Sequence, residues 1–337
     1  MENTVQLAGR RTLRMATGTA LCLAISFALD LPIPVIAPVF AVFLLATPGR
    51  PLSLKAGAML ALVVMFTTGS GLALVPLLRH YAFAGVMLVG LLLFLAFRYG
   101  LRGGNNLIAT FLAAGLTMIS AAGTADFQVG VTVVGALVKG LLLAVMVSAL
   151  MHGLFPETIS ARPRAAARAM PADQIIHIAL RAALVVMPAY LLAMTDPASY
   201  MPIIMKSVSL GRQSCTTSAR DAARELIGST VQGGLLAIAF WFALRLSVHL
   251  WMFFLWMLLF GLLVGRKLFR INPTRYSPGF WLNSLVTMII LLGQSVQDSV
   301  AGKDVYSAFA VRMGLFLAVT LYACLMLLIF DRQRTPE

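Results

Sequence analysis

Long apolar segments follow one another along the whole chain, with only short polar stretches between them. A helix that crosses the ~30 Å hydrocarbon core of a bilayer needs about 20 mostly apolar residues. Twelve candidate segments cover, approximately, residues 15–31, 33–48, 56–78, 81–97, 106–123, 129–155, 174–195, 198–211, 225–246, 248–265, 279–295 and 305–330. Because 60% of the 337 residues are hydrophobic and 11% are charged, almost no chain is left for a soluble domain. The sequence therefore predicts an all-α polytopic membrane protein in contact with the lipid bilayer.

Basic residues are distributed unevenly among the connecting segments. With the amino terminus placed in the cytoplasm, 19 of the 26 Lys and Arg residues fall in cytoplasmic segments and four lie within helices. The three on the opposite side are Arg79, Arg245 and Lys303. This asymmetry follows the positive-inside rule, so we expect both termini in the cytoplasm. The net charge of +14 then reports topology, and we expect no nucleic-acid partner.

Two of the twelve segments, residues 33–48 and 198–211, are short and contain proline. If either failed to span, the basic residues that follow it would leave the cytoplasmic side, so twelve spans fit best and ten is the alternative. Paired short segments broken by proline are typical of transporter binding sites, which makes Pro38 and Pro202 candidate helix-break positions. The alternative is that these prolines only begin a helix after a turn.

The chain divides into two similar halves. Residues 1–155 and 174–337 each hold about six predicted helices, and residues 156–173 form a basic, proline-containing cytoplasmic linker. Thr117 and Thr287 stand in matching Thr-Met-Ile sequences on the fifth helix of each half. An even number of spans in each half gives both halves the same orientation. We predict two parallel six-helix transmembrane repeats.

The first helix of each half carries an arginine and ends in an aspartate. These residues are Arg14 and Asp30 in the first half, and Arg181 and Asp196 in the second. Partly buried carboxylates at helix ends can couple transport to protons, so Asp30 and Asp196 are candidates for that role; the alternative is that both are solvated. We expect the two arginines to reach the aqueous interface from their helix ends.

Three further cations, Lys139, Arg312 and Lys206, lie inside predicted helices. Lys139 and Arg312 occupy corresponding sixth helices, and Lys139 is about 15 Å beyond Gln128, near the membrane midplane. A cation inside a membrane helix costs at least ~2.5–3.5 kcal/mol, so it usually marks a substrate or ion path. The acidic residues map to helix ends, which leaves no obvious partner for the pair. We therefore expect an anion site; structural pairing with an aspartate or with helix carbonyls is the alternative.

Polar residues on the eleventh helix support a lined path. Asn283, Thr287 and Gln294 are four and then seven residues apart, which places them on one helix face, and Thr117 is the counterpart of Thr287 in the first half. We expect Asn283, Thr287 and Thr117 to contact substrate. The alternative is that these side chains bond neighbouring helices to each other.

The sequence holds no convincing catalytic pattern. The four histidines are scattered and the three cysteines show no metal-ligand spacing. No phosphate-binding loop of the Walker type is present either. We therefore predict a protein that is not an enzyme, with no cofactor and no metal.

Several motifs resemble those of the fusaric acid resistance superfamily. They are an arginine at the start of the first helix, a proline-broken second helix, and the segment 224–233, which reads Arg-Glu-Leu-Ile-Gly-Ser-Thr-Val-Gln-Gly. Residues 10–123 look most similar to a compact bacterial branch of unknown function. The resemblance implies a bacterial inner-membrane protein related to aromatic-acid efflux pumps, which work with a periplasmic membrane-fusion (adaptor) protein. It also implies kinship with plant aluminium-activated malate transporters, anion channels whose six-helix subunits dimerise.

Together these features predict an exporter of organic, in particular aromatic, carboxylates that is driven by the proton gradient. Lys139, Arg312 and Lys206 would hold the anion near the midplane. An anion channel is one alternative, and a non-transporting membrane subunit of an envelope assembly complex is another. A small anion, an adaptor protein and a second copy of the chain are the expected partners beside the bilayer.

Overall fold

The computed structural model describes residues 2–46, 53–104, 106–156, 171–214, 219–247 and 249–332. Every regular element in these ranges is helical. In chain order the helices are α1 (Glu2–Ala28), α2 (Ile36–Ala46), α3 (Leu54–Ala73), α4 (Val75–His80), α5 (Ala82–Leu101), α6 (Asn106–Ala114), α7 (Ser120–Ala125), α8 (Phe127–Leu154), α9 (Ala172–Thr195), α10 (Pro197–Ser214), α11 (Ala219–Arg245), α12 (Leu250–Leu268), α13 (Pro278–Val300) and α14 (Val305–Arg332).

Two pairs of these helices form single segments. A π-helical turn, Gly115–Ile119, joins α6 to α7. Leu74 joins α3 to α4, and Pro76 follows at the start of α4, where its missing N–H costs no hydrogen bond. The described helices thus group into twelve helical segments.

Within the described part of the chain, nine segments are long and apolar enough to cross a membrane. The helices α1, α2 and α10 are not among them. The α2 helix has 11 residues, so it extends only about 16 Å at 1.5 Å per residue. The α1 helix contains three arginines, and the second half of α10 is polar. Nine crossings are therefore supported by length and composition, and twelve remains a prediction.

The outer surface of the chain is rich in large apolar side chains. Phe66, Phe83, Leu246 and Trp251 are each more than 70% exposed. A surface of this kind is stable only when hydrocarbon surrounds it. The chain is therefore an all-helical, multi-pass membrane protein.

The first of two compact units consists of Met1–Ala61, Ala136–Arg162 and Gly228–Met313. In it α1 packs along α12 and α2, and α13 packs against α12 and α2. Small residues allow the closest of these contacts: a Cβ atom on Gly261 of α12 would lie 3.1 Å from the Cα atom of Ala16 on α1. Such small-residue contacts are typical of helix packing in membranes.

The second compact unit consists of Leu62–Gly135, Pro163–Ile227 and Gly314–Glu337. Here α9 packs along α10 and α5, and α10 also contacts α6 and α7. Gly211 of α10 faces α9, where a Cβ atom at this position would lie 3.1 Å from the side chain of Val186.

Each unit contains helices from both sequence halves. The first unit joins the first two helices of the amino-terminal half to the fourth and fifth of the carboxy-terminal half, and the second unit has the converse composition. The same pairings recur: a first helix packs on a fourth helix in both units, and a second helix packs on a fifth. Four of the five boundaries between the units fall inside α3, α8, α11 and α14, and the fifth lies between residues 162 and 163.

Candidate functional site

Arg312 of α14 forms an ion pair with Asp298 of α13. The guanidinium donates to both carboxylate oxygens: Nη2 lies 2.9 Å from Oδ1, and Nη1 contacts Oδ2. The two side chains are only 13% and 6% exposed, respectively. Two parallel charge-assisted hydrogen bonds make this a strong contact. The expectation that Arg312 has no carboxylate partner is therefore wrong, and the alternative of structural pairing holds for this residue.

The direction of the Arg312 side chain explains how it meets a residue at a helix end. Arg312 is the eighth residue of α14, so its Cα atom lies about 10 Å along the axis from Val305. Helical side chains lean toward the amino terminus of their helix, which brings the guanidinium back to Asp298, two residues before the end of α13. The charge thus sits closer to the helix ends than the backbone position indicates.

Lys139 differs from Arg312 in its surroundings. It lies near the middle of α8, twelve residues after Phe127 and fifteen before Leu154. Its side chain is exposed on the surface of the chain. Within the residues that the structure describes, Lys139 makes no hydrogen bond and no ion pair. An ammonium group at the centre of a membrane helix is unstable against lipid tails, so Lys139 has to contact water, another protein or a ligand.

The exposed faces of α8 and α14 show that Lys139 and Arg312 are not equivalent. A shift of 172 residues superposes the exposed stripe of α8 on that of α14, whereas Arg312 lies 173 residues after Lys139. At the better shift Lys139 corresponds to exposed Val311, and Arg312 corresponds to buried Gly140. Further matching exposed pairs are Leu142 with Gly314, Met146 with Ala318 and Gly153 with Leu325. When the exposed faces of α8 and α14 are superposed, the two cations therefore lie one residue, or about 100°, apart around the helix axis.

Arg14 and Arg181 are both buried arginine side chains. Arg14 on α1 is 1% exposed and Arg181 on α9 is 8% exposed, and both have interaction partners inside the protein. The expectation that these side chains reach the aqueous interface is therefore wrong. Each compact unit holds one of them on the first helix of a sequence half. The sequence signal for this shared burial is that each arginine lies on the first helix of its half.

Lys206 is also buried, at 3% exposure, on α10 of the second unit, and it too has a partner in the protein. The helix around it is regular: α10 runs from Pro197 to Ser214, so the expected break at Pro202 is not observed in the described backbone. Pro38 lies in the first turn of α2, where proline begins a helix without loss of a hydrogen bond. Pro38 therefore agrees with the alternative that proline begins a helix after a turn, whereas Pro202, the sixth residue of α10, fits neither reading.

The predicted polar contacts of the fifth helices are satisfied within the protein. Thr117 and Thr287 are fully buried, and their hydroxyls donate to the carbonyl oxygens of Ala113 and Asn283 over 2.7 Å. The amide of Asn283 donates to the hydroxyl of Ser229, which bonds α13 to α11. The Asn283 bond agrees with the alternative that these side chains bond neighbouring helices to each other, whereas both threonine hydroxyls bond to carbonyl groups of their own helical segments.

Asp30 and Asp196 are exposed at helix ends. Asp30 adopts a left-handed backbone conformation, with φ of 46°, just after α1, and Asp196 is the residue after the end of α9. Asp298 is the buried carboxylate of the described region. Sequence reasoning missed its role because it placed every aspartate at a solvated end.

A metal ion would need several ligating side chains close together in the described ranges of the chain. No group of three His, Cys, Asp or Glu side chains there is close enough to hold a metal ion. The buried charged side chains in the same ranges are three cations, Arg14, Arg181 and Lys206, and one carboxylate, Asp298.

Residues 11–151 match a family described as "Protein of unknown function (DUF2955)". The match covers most of the first sequence half, including the region that resembles a compact bacterial branch of unknown function, and it assigns no activity. No curated protein and no solved structure matches the chain.

Proposed function

We propose that this protein exports organic carboxylate anions, in particular aromatic ones, across the bacterial inner membrane. The observation that carries the proposal is Lys139, a cation that is exposed at the middle of a membrane-spanning helix and lacks an ion-pair partner in the described structure. Lipid cannot solvate this charge, whereas an aqueous path with a passing anion can.

The sign of the exposed charge on Lys139 supports an anionic substrate. An ammonium group within a membrane-spanning helix attracts anions and repels metal cations. A carboxylate is the simplest organic anion that an ammonium or guanidinium group recognises.

Lys139 is the primary substrate contact in this proposal, and Arg312 has a secondary role. The fork of Arg312 is occupied by Asp298, so a substrate carboxylate would have to displace an internal one. Lys206 is buried in α10 and would act through the local potential.

Energy coupling and partners complete the proposal. Proton coupling is assigned to carboxylates, of which Asp30 and Asp196 are accessible to water and Asp298 is paired. The resemblance to aromatic-acid efflux pumps supports a periplasmic membrane-fusion protein as partner. We also propose a further copy of the chain as a second partner.

Flux of benzoate and related aromatic acids into proteoliposomes tests the proposal. We expect the wild-type protein to transport them, with a rate that depends on an imposed pH gradient. Replacing Lys139 by leucine should lower the rate about tenfold or more, because a hydrogen bond to a charged group contributes ~1.5–3 kcal/mol. Lys303→Leu is the matched control, since Lys303 is an exposed loop residue, and its rate should equal that of wild type.

The same assay separates the alternatives. An anion channel would show flux that follows the electrical potential and ignores the pH gradient. A non-transporting assembly subunit would show no flux in either variant. Equal flux through wild type, Lys139→Leu and Lys303→Leu would contradict the anion site.

A further inference from the structure

The second compact unit contains a cavity of about 290 Å³ that plays no part in the proposed anion path. It lies between α3, α5 and the segment formed by α6 and the π-helical turn. Its walls are Ser70, Leu74, Leu92, Leu95, Ala96, Tyr99, Leu112 and Leu116. The hydroxyl of Ser70 donates to the carbonyl oxygen of Thr67 over 2.7 Å, so it offers no free donor to a ligand. The interior of the cavity is thus apolar.

The cavity opens toward the bilayer. Leu95 and Tyr99 at its rim are 42% and 45% exposed. The walls belong to three segments that are long and apolar enough to span a membrane: Lys55–His80, Ala82–Leu101 and Ile108–Ala125. A molecule that enters from this side must therefore have an apolar part that is soluble in hydrocarbon.

A basic group lies directly beyond the cavity on the same face of α5. Leu92, Leu95, Tyr99 and Arg102 are three, four and three residues apart, which places them in one line along the helix. Along this line the leucines come first, the phenol of Tyr99 follows, and the exposed guanidinium of Arg102 is at the end. This order matches the order of chain, interface and headgroup in a phospholipid.

The end of α5 fixes this geometry. Gly103 adopts φ of +93°, and the N–H of Gly104 donates to the carbonyl oxygen of Tyr99 over 3.1 Å. This is the Schellman arrangement, in which a left-handed glycine ends the helix and reverses the chain. Arg102 is thereby held at the helix terminus, one turn beyond Tyr99.

The charge around Arg102 favours an anion. Arg98 lies one turn earlier, and its Nε atom is buried without a hydrogen-bond partner in the described structure. Arg102 makes no ion pair with any described residue. Between residues 31 and 125 the sequence contains no Asp or Glu, so no carboxylate on the cavity walls competes for these guanidinium groups.

We propose that this cavity and the two arginines form a binding site for an anionic phospholipid. One acyl chain occupies the apolar cavity, and the phosphate contacts Arg98 and Arg102. The distribution of Lys and Arg places this end of α5 on the cytoplasmic side, where anionic lipids carry the negative surface potential. The site is independent of substrate transport.

Native mass spectrometry of the full-length protein in detergent tests the site. Phosphatidylglycerol and phosphatidylcholine with the same acyl chains are added separately, and inorganic phosphate and benzoate serve as probes without a lipid tail. We expect retention of one phosphatidylglycerol molecule in preference to phosphatidylcholine, and no retention of either small anion at this site.

Variants locate the binding. Arg102→Gln should weaken phosphatidylglycerol binding about fivefold, since a basic residue near the membrane surface contributes ~1 kcal/mol. Leu95→Trp, which fills the cavity, should abolish the preference. Matched controls are Lys303→Gln and Met87→Trp, the latter an exposed position on α5 outside the cavity.

Three results would overturn the site. The first is equal retention of the two lipids, and the second is phosphatidylglycerol binding that neither Arg102→Gln nor Leu95→Trp reduces. The third is binding of benzoate that Leu95→Trp abolishes, which would make the cavity a substrate site. If a variant unfolds, the Arg98→Gln variant and the lipid comparison on wild type still decide the question.

Discussion

Asp298 and Arg312 show how a single contact can set the cost of a charge in a membrane protein. The two side chains together carry no net charge, and both terminal nitrogens of the guanidinium donate to carboxylate oxygens. Removing one partner leaves the other as a buried, uncompensated charge, which costs far more than removing both. The pair therefore stabilises the contact between the end of α13 and α14.

Asp298→Asn should destabilise the protein by about 3 kcal/mol or more, because Arg312 then keeps an unpaired charge at 13% exposure. The double variant Asp298→Asn with Arg312→Gln should recover most of this loss. Thermal unfolding in detergent measures both. Asp30→Asn is the matched control, since Asp30 is exposed and asparagine tolerates its left-handed conformation. A double variant as unstable as the single one would contradict the role of the pair.

At this scale the sequence assigned the wrong surroundings to three of the cations, Arg14, Arg181 and Arg312. Depth was counted along the backbone, and that count ignores the reach and direction of an arginine side chain. Arg14 looked as if it lay at a helix end, although neighbouring segments bury it. Which side chain covers which charge depends on tertiary packing, and periodicity does not contain that information.

Helix α3 and the π-helical turn approach each other closely at two glycines. A Cβ atom on Gly71 would lie 2.0 Å from the carbonyl oxygen of Gly115, and one on Gly115 would lie 2.5 Å from the Cα atom of Thr68. The backbones touch at two glycines. π-Helical turns are rare and are found mainly at functional positions; here the turn carries Thr117.

Gly71→Ala should lower the stability by about 1–3 kcal/mol, because the added methyl meets backbone that cannot move aside. Gly69→Ala, two residues earlier on the same helix, has open space around its Cβ position and should be neutral or slightly stabilising. Midpoints of thermal unfolding for the two variants make the comparison. Equal midpoints would show that the close approach of α3 to the π-helical turn is absent.

The apolar runs of the sequence predicted where most helices lie, but they did not predict the π-helical turn inside one of them. Ends of apolar runs are visible as charged or proline-containing stretches, and they agree with the observed helices. A π-helical turn inserts one extra residue into a helix. In a segment that is apolar on all sides, the pattern of apolar positions does not reveal this insertion. Pro202 suggested a break for a different reason, since proline disfavours helix interiors, yet it lies within a continuous helix.

At the scale of the whole molecule, the compact units combine helices from both sequence halves. The class of protein followed from apolar length alone, because the bilayer restricts spanning structures so strongly. The assignment of helices to units did not, since it depends on contacts between residues far apart in sequence. Contacts between Ala16 and Gly261, for example, join helices that are well over 200 residues apart.

Cutting the chain between its halves should therefore leave one particle. A protease site introduced in the linker at residues 156–173 would yield two fragments after cleavage. We expect them to elute together in size-exclusion chromatography in detergent, because α1 packs on α12 and α5 packs on α9. Gly261→Leu should weaken this association, and Gly314→Leu, with open space around it, should not. Fragments that separate without either substitution would contradict the mixed units.

The charge of Lys139 is the most direct test of the account as a whole. Lys139→Arg keeps the cation, and Lys139→Met keeps an unbranched side chain without the charge. Initial rates of aromatic carboxylate flux into proteoliposomes are measured for both and for wild type under the same pH gradient. We predict that Lys139→Arg transports at a rate within a few-fold of wild type and that Lys139→Met loses about tenfold or more. Equal rates for the arginine and methionine variants would contradict an anion site at Lys139.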